Sequence, residues 1–161
     1  MRRRLLLGAA VTLSGCGFAL KRAPELSFKT IQLTGFAARS PLAAELRTQL
    51  QASPTTRVVE SAAEAQVVLQ ALSETREKVV VAQTAANQIR EFELRLRFNF
   101  RVRSSTGKDL IPDSEILQRR SLTYIESAAL AKEQEEAFLY RAMQSDIVSQ
   151  VLRRLASVRL L

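Results

Sequence analysis

Few residues in this chain could do chemistry. It holds one cysteine, Cys16, and no histidine, so neither a Ser-His-Asp nor a Cys-His arrangement can be built. The commonest general base and metal ligand is missing as well. A Ser-Lys dyad could use Lys108 or Lys132, but no motif singles one out. "STGKD" at 105–109 lacks the upstream glycine of a phosphate-binding loop and reads as a hairpin turn. Glu133, Glu135 and Glu136 could offer only carboxylates to a metal, and near a helix start such residues are ordinarily a solvated face favoured by the helix dipole. The sequence therefore reads as non-enzymatic, with no cofactor.

The most concentrated polar feature is a row of arginines at 95, 97, 101 and 103. Side chains two apart on a strand share a face, and guanidinium groups suit phosphate oxygens. The net charge of +8 also fits an anionic partner. Nucleic acid is disfavoured, because Phe92, Phe98 and Phe100 alternate onto the opposite face and leave nothing to stack on bases. The bland alternative is that Arg and Glu keep an exposed sheet face soluble.

Cys16 has a context that explains it. Arg2, Arg3 and Arg4 precede an apolar run, "LLLGAAVTL", and the small pair Ser14-Gly15, the layout of a secretory leader. The run is about half the ~20 residues a membrane-spanning helix needs. Leu13-Ser14-Gly15-Cys16 resembles a bacterial lipobox, in which cleavage precedes a lipid-modified cysteine. A thiol is the nucleophile suited to a thioether-linked diacylglycerol, and several acyl chains anchor durably. Residues 1–15 are thus expected to be a leader, 16–25 a lipidated tether and 26–161 a single domain. Gly17 is not the aspartate that resembles an inner-membrane retention signal, so the expected destination is the outer membrane.

The elements that must position these residues follow from periodicity. Phe28, Ile31 and Leu33 suggest a first strand ending at Gly35. Ser40-Pro41 starts a helix whose Leu42, Leu46 and Leu50 form one stripe, stopping before Pro54. "QVVLQAL" (66–72) is a buried strand with a more polar continuation and a bend near 73–75. Strict alternation over 91–103 puts Phe92, Leu94, Leu96, Phe98, Phe100 and Val102 on one face of a long strand, and "ILQRRSLTYI" returns beside it. From near Leu130 a helix of six turns or more carries Leu139, Met143, Ile147, Val151 and Leu155. The expected fold is α+β, a two-layer sandwich of two helices on one face of a mixed, mostly antiparallel four-stranded sheet.

Three stretches together resemble the LptE family of lipopolysaccharide-assembly lipoproteins: "CGFAL" at 16–20, the strand-turn-strand "REFELRLRFNFRVRSSTGKDLIP", and "SAALAKEQEEAFLYRAMQSDIVSQVLRRL" at 127–155. The resemblance implies a non-enzymatic plug and assembly partner of the LptD β-barrel that contacts lipopolysaccharide. It implies contact at Lys132, in "ALAK". A second basic position of the family falls just before the long strand; there this chain has "AANQIR", departs from the pattern, and offers Arg90 as substitute. Arg95 and Arg97 are the further candidates for the polyanion. A competing expectation is a lipid-anchored chaperone or pilot for another outer-membrane protein.

Overall fold

The computed structural model describes residues 25–159. The first strand, β1 (Thr30–Thr34), buries Ile31 completely and ends at Gly35. The first helix, α1 (Pro41–Gln51), begins as its sequence dictates: the Ser40 hydroxyl accepts the Ala43 amide at 3.1 Å, and Pro41 supplies a preset φ. Leu42, Leu46 and Leu50, one turn apart, are buried. A three-residue strand, β2 (Arg57–Val59), precedes three long ones: β3 (Val67–Gln83), β4 (Ile89–Ser104) and β5 (Asp109–Thr123). A 3₁₀ turn (Glu126–Ala128) leads into α2 (Ala129–Ser157).

The sheet order is β2-β1-β3-β4-β5, with β1 parallel to both neighbours and β3, β4 and β5 joined as antiparallel hairpins. Among the described residues the sheet has five strands, where periodicity predicts four. The additional strand is β2, too short to show a period, and it is held by backbone and side-chain bonds: Arg57 N to the Lys29 carbonyl at 2.8 Å and Thr56 Oγ1 to the Phe28 carbonyl at 2.9 Å. The bend expected near 73–75 takes the form of a register shift between Ala71 and Ser73 within a continuous strand.

Strand lengths set the shape. β1 reaches only from Val67 to Gln70 along β3, whereas β4 continues for 16 residues, about 50 Å at ~3.3 Å per residue. One end, the base, therefore holds five strands and both helices; the other, the tip, is only β3, β4, β5 and the start of α2. Along β4 the even residues Leu94 to Val102 are fully or almost fully buried beneath the helices, and the odd residues form an open polar face. The two helices are tied across the base by Gln144, whose amide donates to the Pro41 carbonyl (3.2 Å) and the Glu45 carboxylate (2.7 Å). The Ser27 hydroxyl donates to the Val158 carbonyl at 2.6 Å, so both ends of the described chain lie at the base.

Candidate functional site

At the tip, the β3–β4 turn and the segment leaving β5 close on each other. Asn87, in the left-handed region at φ 59°, turns the first loop, and the Tyr124 amide donates to the Arg90 carbonyl at 2.8 Å. Between them lies a hollow of about 810 Å³, walled by Asn87, Gln88, Ile89, Arg90 and Tyr124–Ser127. Its lining mixes amides, a hydroxyl, an aromatic ring and one charge of each sign, a surface able to hydrogen-bond polar groups from several directions. Arg90 is exposed there and makes no ion pair among the described residues.

Lys132 sits in the first turn of α2, at the same end of the molecule as Arg90 but outside the walls of the hollow. Its ammonium is bound to Glu135 at 2.7 Å, one turn on, with its side chain only 18% exposed. An anion reaching Lys132 would have to compete with that carboxylate. Such helix-surface pairs contribute only about 0.2–0.5 kcal/mol, so the competition is feasible.

Arg95 and Arg97 lie farther along, on the open face, and there the structure adds what the sequence row conceals. Arg95 meets Glu93 at 2.5 Å and Glu77 of β3 at 3.8 Å; Arg97 meets Glu115 of β5 at 2.6 Å. Arg101 approaches Asp113 and Arg103 binds Asp109, with the Asn99–Ser73 hydrogen bond between the pairs. The Glu115 hydrogen bond and charge raise the already high pKa of Arg97. The open face is thus a lattice of alternating charge, not a cationic strip. Each pair is part-exposed, so solvent and salt screen it and it adds little to stability.

Sequence reasoning missed a second polar cluster, drawn from two elements, β3 and α2. Tyr140 on α2 donates to the Glu77 carbonyl at 2.8 Å and lies beneath the Arg76 guanidinium, 5.3 Å from ring centre. Burial, then the nearby Glu136 charge, push its phenol pKa upward, with Arg76 opposing. The folded state therefore favours the neutral phenol. The associated stability is complete below the unfolded phenol value of about 10 and is lost as pH rises through the folded value. Tyr140→Phe should accordingly flatten the alkaline fall in the urea midpoint, and in Tyr124→Phe the single remaining phenol should titrate late by ultraviolet absorbance.

Cys16 lies outside the described residues. Among those described, no cluster of metal-ligating side chains occurs, and no helix is long and apolar enough to cross a membrane.

What the fold and its tip define is a small α+β domain with an apolar core, a charge-balanced open sheet face and polar hollows at its surface. The sequence matches the profile of the LptE family, described as lipopolysaccharide-assembly, over residues 28–155. The chain belongs to that family, and with it to the assembly of lipopolysaccharide. It is 28% identical to the LPS-assembly lipoprotein LptE of Photorhabdus laumondii, across 98% of this chain and 88% of that one. The solution structure of an uncharacterized lipoprotein B from Nitrosomonas europaea is similar at 30% identity with a TM-score of 0.76, covering 88% of this chain and 91% of that one. The rare lipoprotein B of Shewanella oneidensis (21% identity, TM-score 0.69, 80% and 95% covered) shares the fold. So does a minor lipoprotein of Acinetobacter baumannii (22%, 0.66, 83% and 94%).

Proposed function

We propose that this domain is the non-enzymatic accessory subunit of an LptD-type outer-membrane β-barrel, acting as its plug and assembly partner and contacting lipopolysaccharide during insertion. It is held at the outer membrane by acyl chains on Cys16. The observation that carries this reading is the family match over 28–155, which takes in the five described strands, all of α1 and nearly all of α2. The open face supports it: barrel lumens are polar, and a lattice of paired charges presents hydrogen-bonding groups without a large net field. The tip supplies the contact to the sugar lipid, with Arg90 in the hollow and without an ion-pair partner among the described residues, and Lys132 releasable from Glu135.

The direct test is purification in mild detergent, where the lipidated chain should emerge in a stable complex with a far larger β-barrel; recovery as a free monomer overturns the plug role. The lipopolysaccharide contact is tested separately by pull-down. Arg90→Glu and Lys132→Glu should each weaken capture about tenfold, ~1.4 kcal/mol. Arg95→Glu and Arg97→Glu should each weaken it only about twofold, because those guanidinium groups bind phosphate only by exchanging a carboxylate already in place. Normal capture by all four variants would refute the basic contacts and leave the plug role to the first experiment.

A further inference from the structure

The outer edge of β3 is covered for only part of its length. β1 stops at Thr34, opposite Gln70; Gly35 then packs its backbone on Ala71, and the Ser40 hydroxyl reaches the Glu74 carboxylate at 2.7 Å. Beyond that point no strand pairs with this side of β3 among the described residues. The register tells which backbone groups are left over. The Arg90 carbonyl is bonded to Tyr124 on the β5 side, so by alternation the odd residues of β4 direct their backbone to β3. Their β3 partners are Thr75 (for Arg97), Glu77 (for Arg95) and Val79 (for Glu93). The N–H and C=O groups of Arg76, Lys78 and Val80 consequently point outward.

Alongside that edge runs a groove of about 780 Å³, in line with β1 and roofed by α2. Its charges are uneven. Lys78 is neutralised by Glu136 at 2.6 Å, whereas Arg76 and Arg141 have no carboxylate within ion-pair distance among the described residues; Glu133 shares the groove with them, and Glu74, held by the Ser40 hydroxyl, lines the adjoining hollow beside Arg76. Farther along, Val80 and Val81 are exposed. We infer that residues 75–83 of β3 form a docking edge for an extended segment of a partner protein, added as a sixth strand. That segment carries carboxylates on the face of Arg76 and Arg141 and aliphatic side chains on the opposite face, toward Val81. Main-chain hydrogen bonds supply the attachment and the alternating side chains its specificity. A second copy of this chain is the poorer occupant. Pairing outward groups with outward groups in a two-fold antiparallel register would set Arg76 against Arg76, Lys78 against Lys78, or Arg76 against Lys78, and like charges across a strand pair are destabilising.

The test uses the full-length chain in mild detergent and a fluorescent, end-capped heptapeptide of alternating valine and aspartate, with a valine-lysine peptide of the same length beside it. The acidic peptide should bind at least about tenfold more tightly, ~1.4 kcal/mol, and should slow amide exchange at Arg76, Lys78 and Val80. Arg76→Glu with Arg141→Glu should invert the preference. Val80→Pro removes one outward donor, which an edge strand tolerates, and should weaken binding about tenfold while leaving the unfolding midpoint in place. Equal binding of both peptides, protection elsewhere, or no effect of Val80→Pro would overturn the inference. So would a dimer of the free chain that protects the same three amides.

Discussion

Truncating Phe98 to alanine should lower the unfolding free energy by about 3–5 kcal/mol, a large share of the 5–15 typical of a domain. The ring is wholly buried and stacks against two others, Phe36 at 5.7 Å and Phe100 at 5.3 Å between centroids. Its backbone is fixed from both sides, opposite Glu74 of β3 and Ile116 of β5. A central strand paired on both edges cannot move inward to fill a void, so lost transfer energy and residual cavity should add. Urea denaturation provides the measurement: the midpoint should fall with the slope unchanged, since the unfolded chain exposes nearly the same surface. A control at Leu72, 39% exposed beside the register shift, should stay within about 0.5 kcal/mol of the parent. A loss below about 1 kcal/mol at Phe98 would mean the core collapses around the gap.

The strand that holds Phe98 was also the most legible element. Alternation over 91–103 placed it within two residues of β4 at its start and one at its end, because a strand buried on one face must repeat every second residue. Ser40-Pro41 marked α1 for an equally local reason. The parts that stayed hidden depend on partners distant in sequence. β2 is three residues whose pairing is decided by β1, so nothing in "RVV" distinguishes it from a loop. The arginine row looks cationic in the sequence because, Glu93 apart, the acids that balance it come from β3 and β5, up to 18 positions away. The tip hollow joins two segments that read only as connections, and the groove beside β3 exists because β1 is short.

Gly35→Ala should be the other severe substitution. Gly35 holds φ at 77°, where a side chain costs about 1–2 kcal/mol. Its added Cβ would also fall 2.2 Å from the Ala71 carbonyl oxygen. That neighbour is backbone, fixed in the β3–β4 ladder opposite Phe100, so it cannot swing aside as a side-chain end would. Relief requires the chain leaving β1 to lift away, loosening the β1–β3 pairing and the entry to α1; with strain and repacking together the expected cost is about 3–5 kcal/mol. Gly107 separates the two contributions. It has a similar φ of 85° at the β4–β5 turn, but open space where its Cβ would lie, so Gly107→Ala should cost only the conformational part, about 1–2 kcal/mol. Hydrogen exchange then locates the damage. In Gly35→Ala the amides of β1 and α1 should lose protection while the β4–β5 hairpin keeps it, because β1 touches the long hairpins only through Val67–Gln70. Equal costs for the two variants would show that backbone conformation alone, and not the contact with Ala71, fixes where β1 ends.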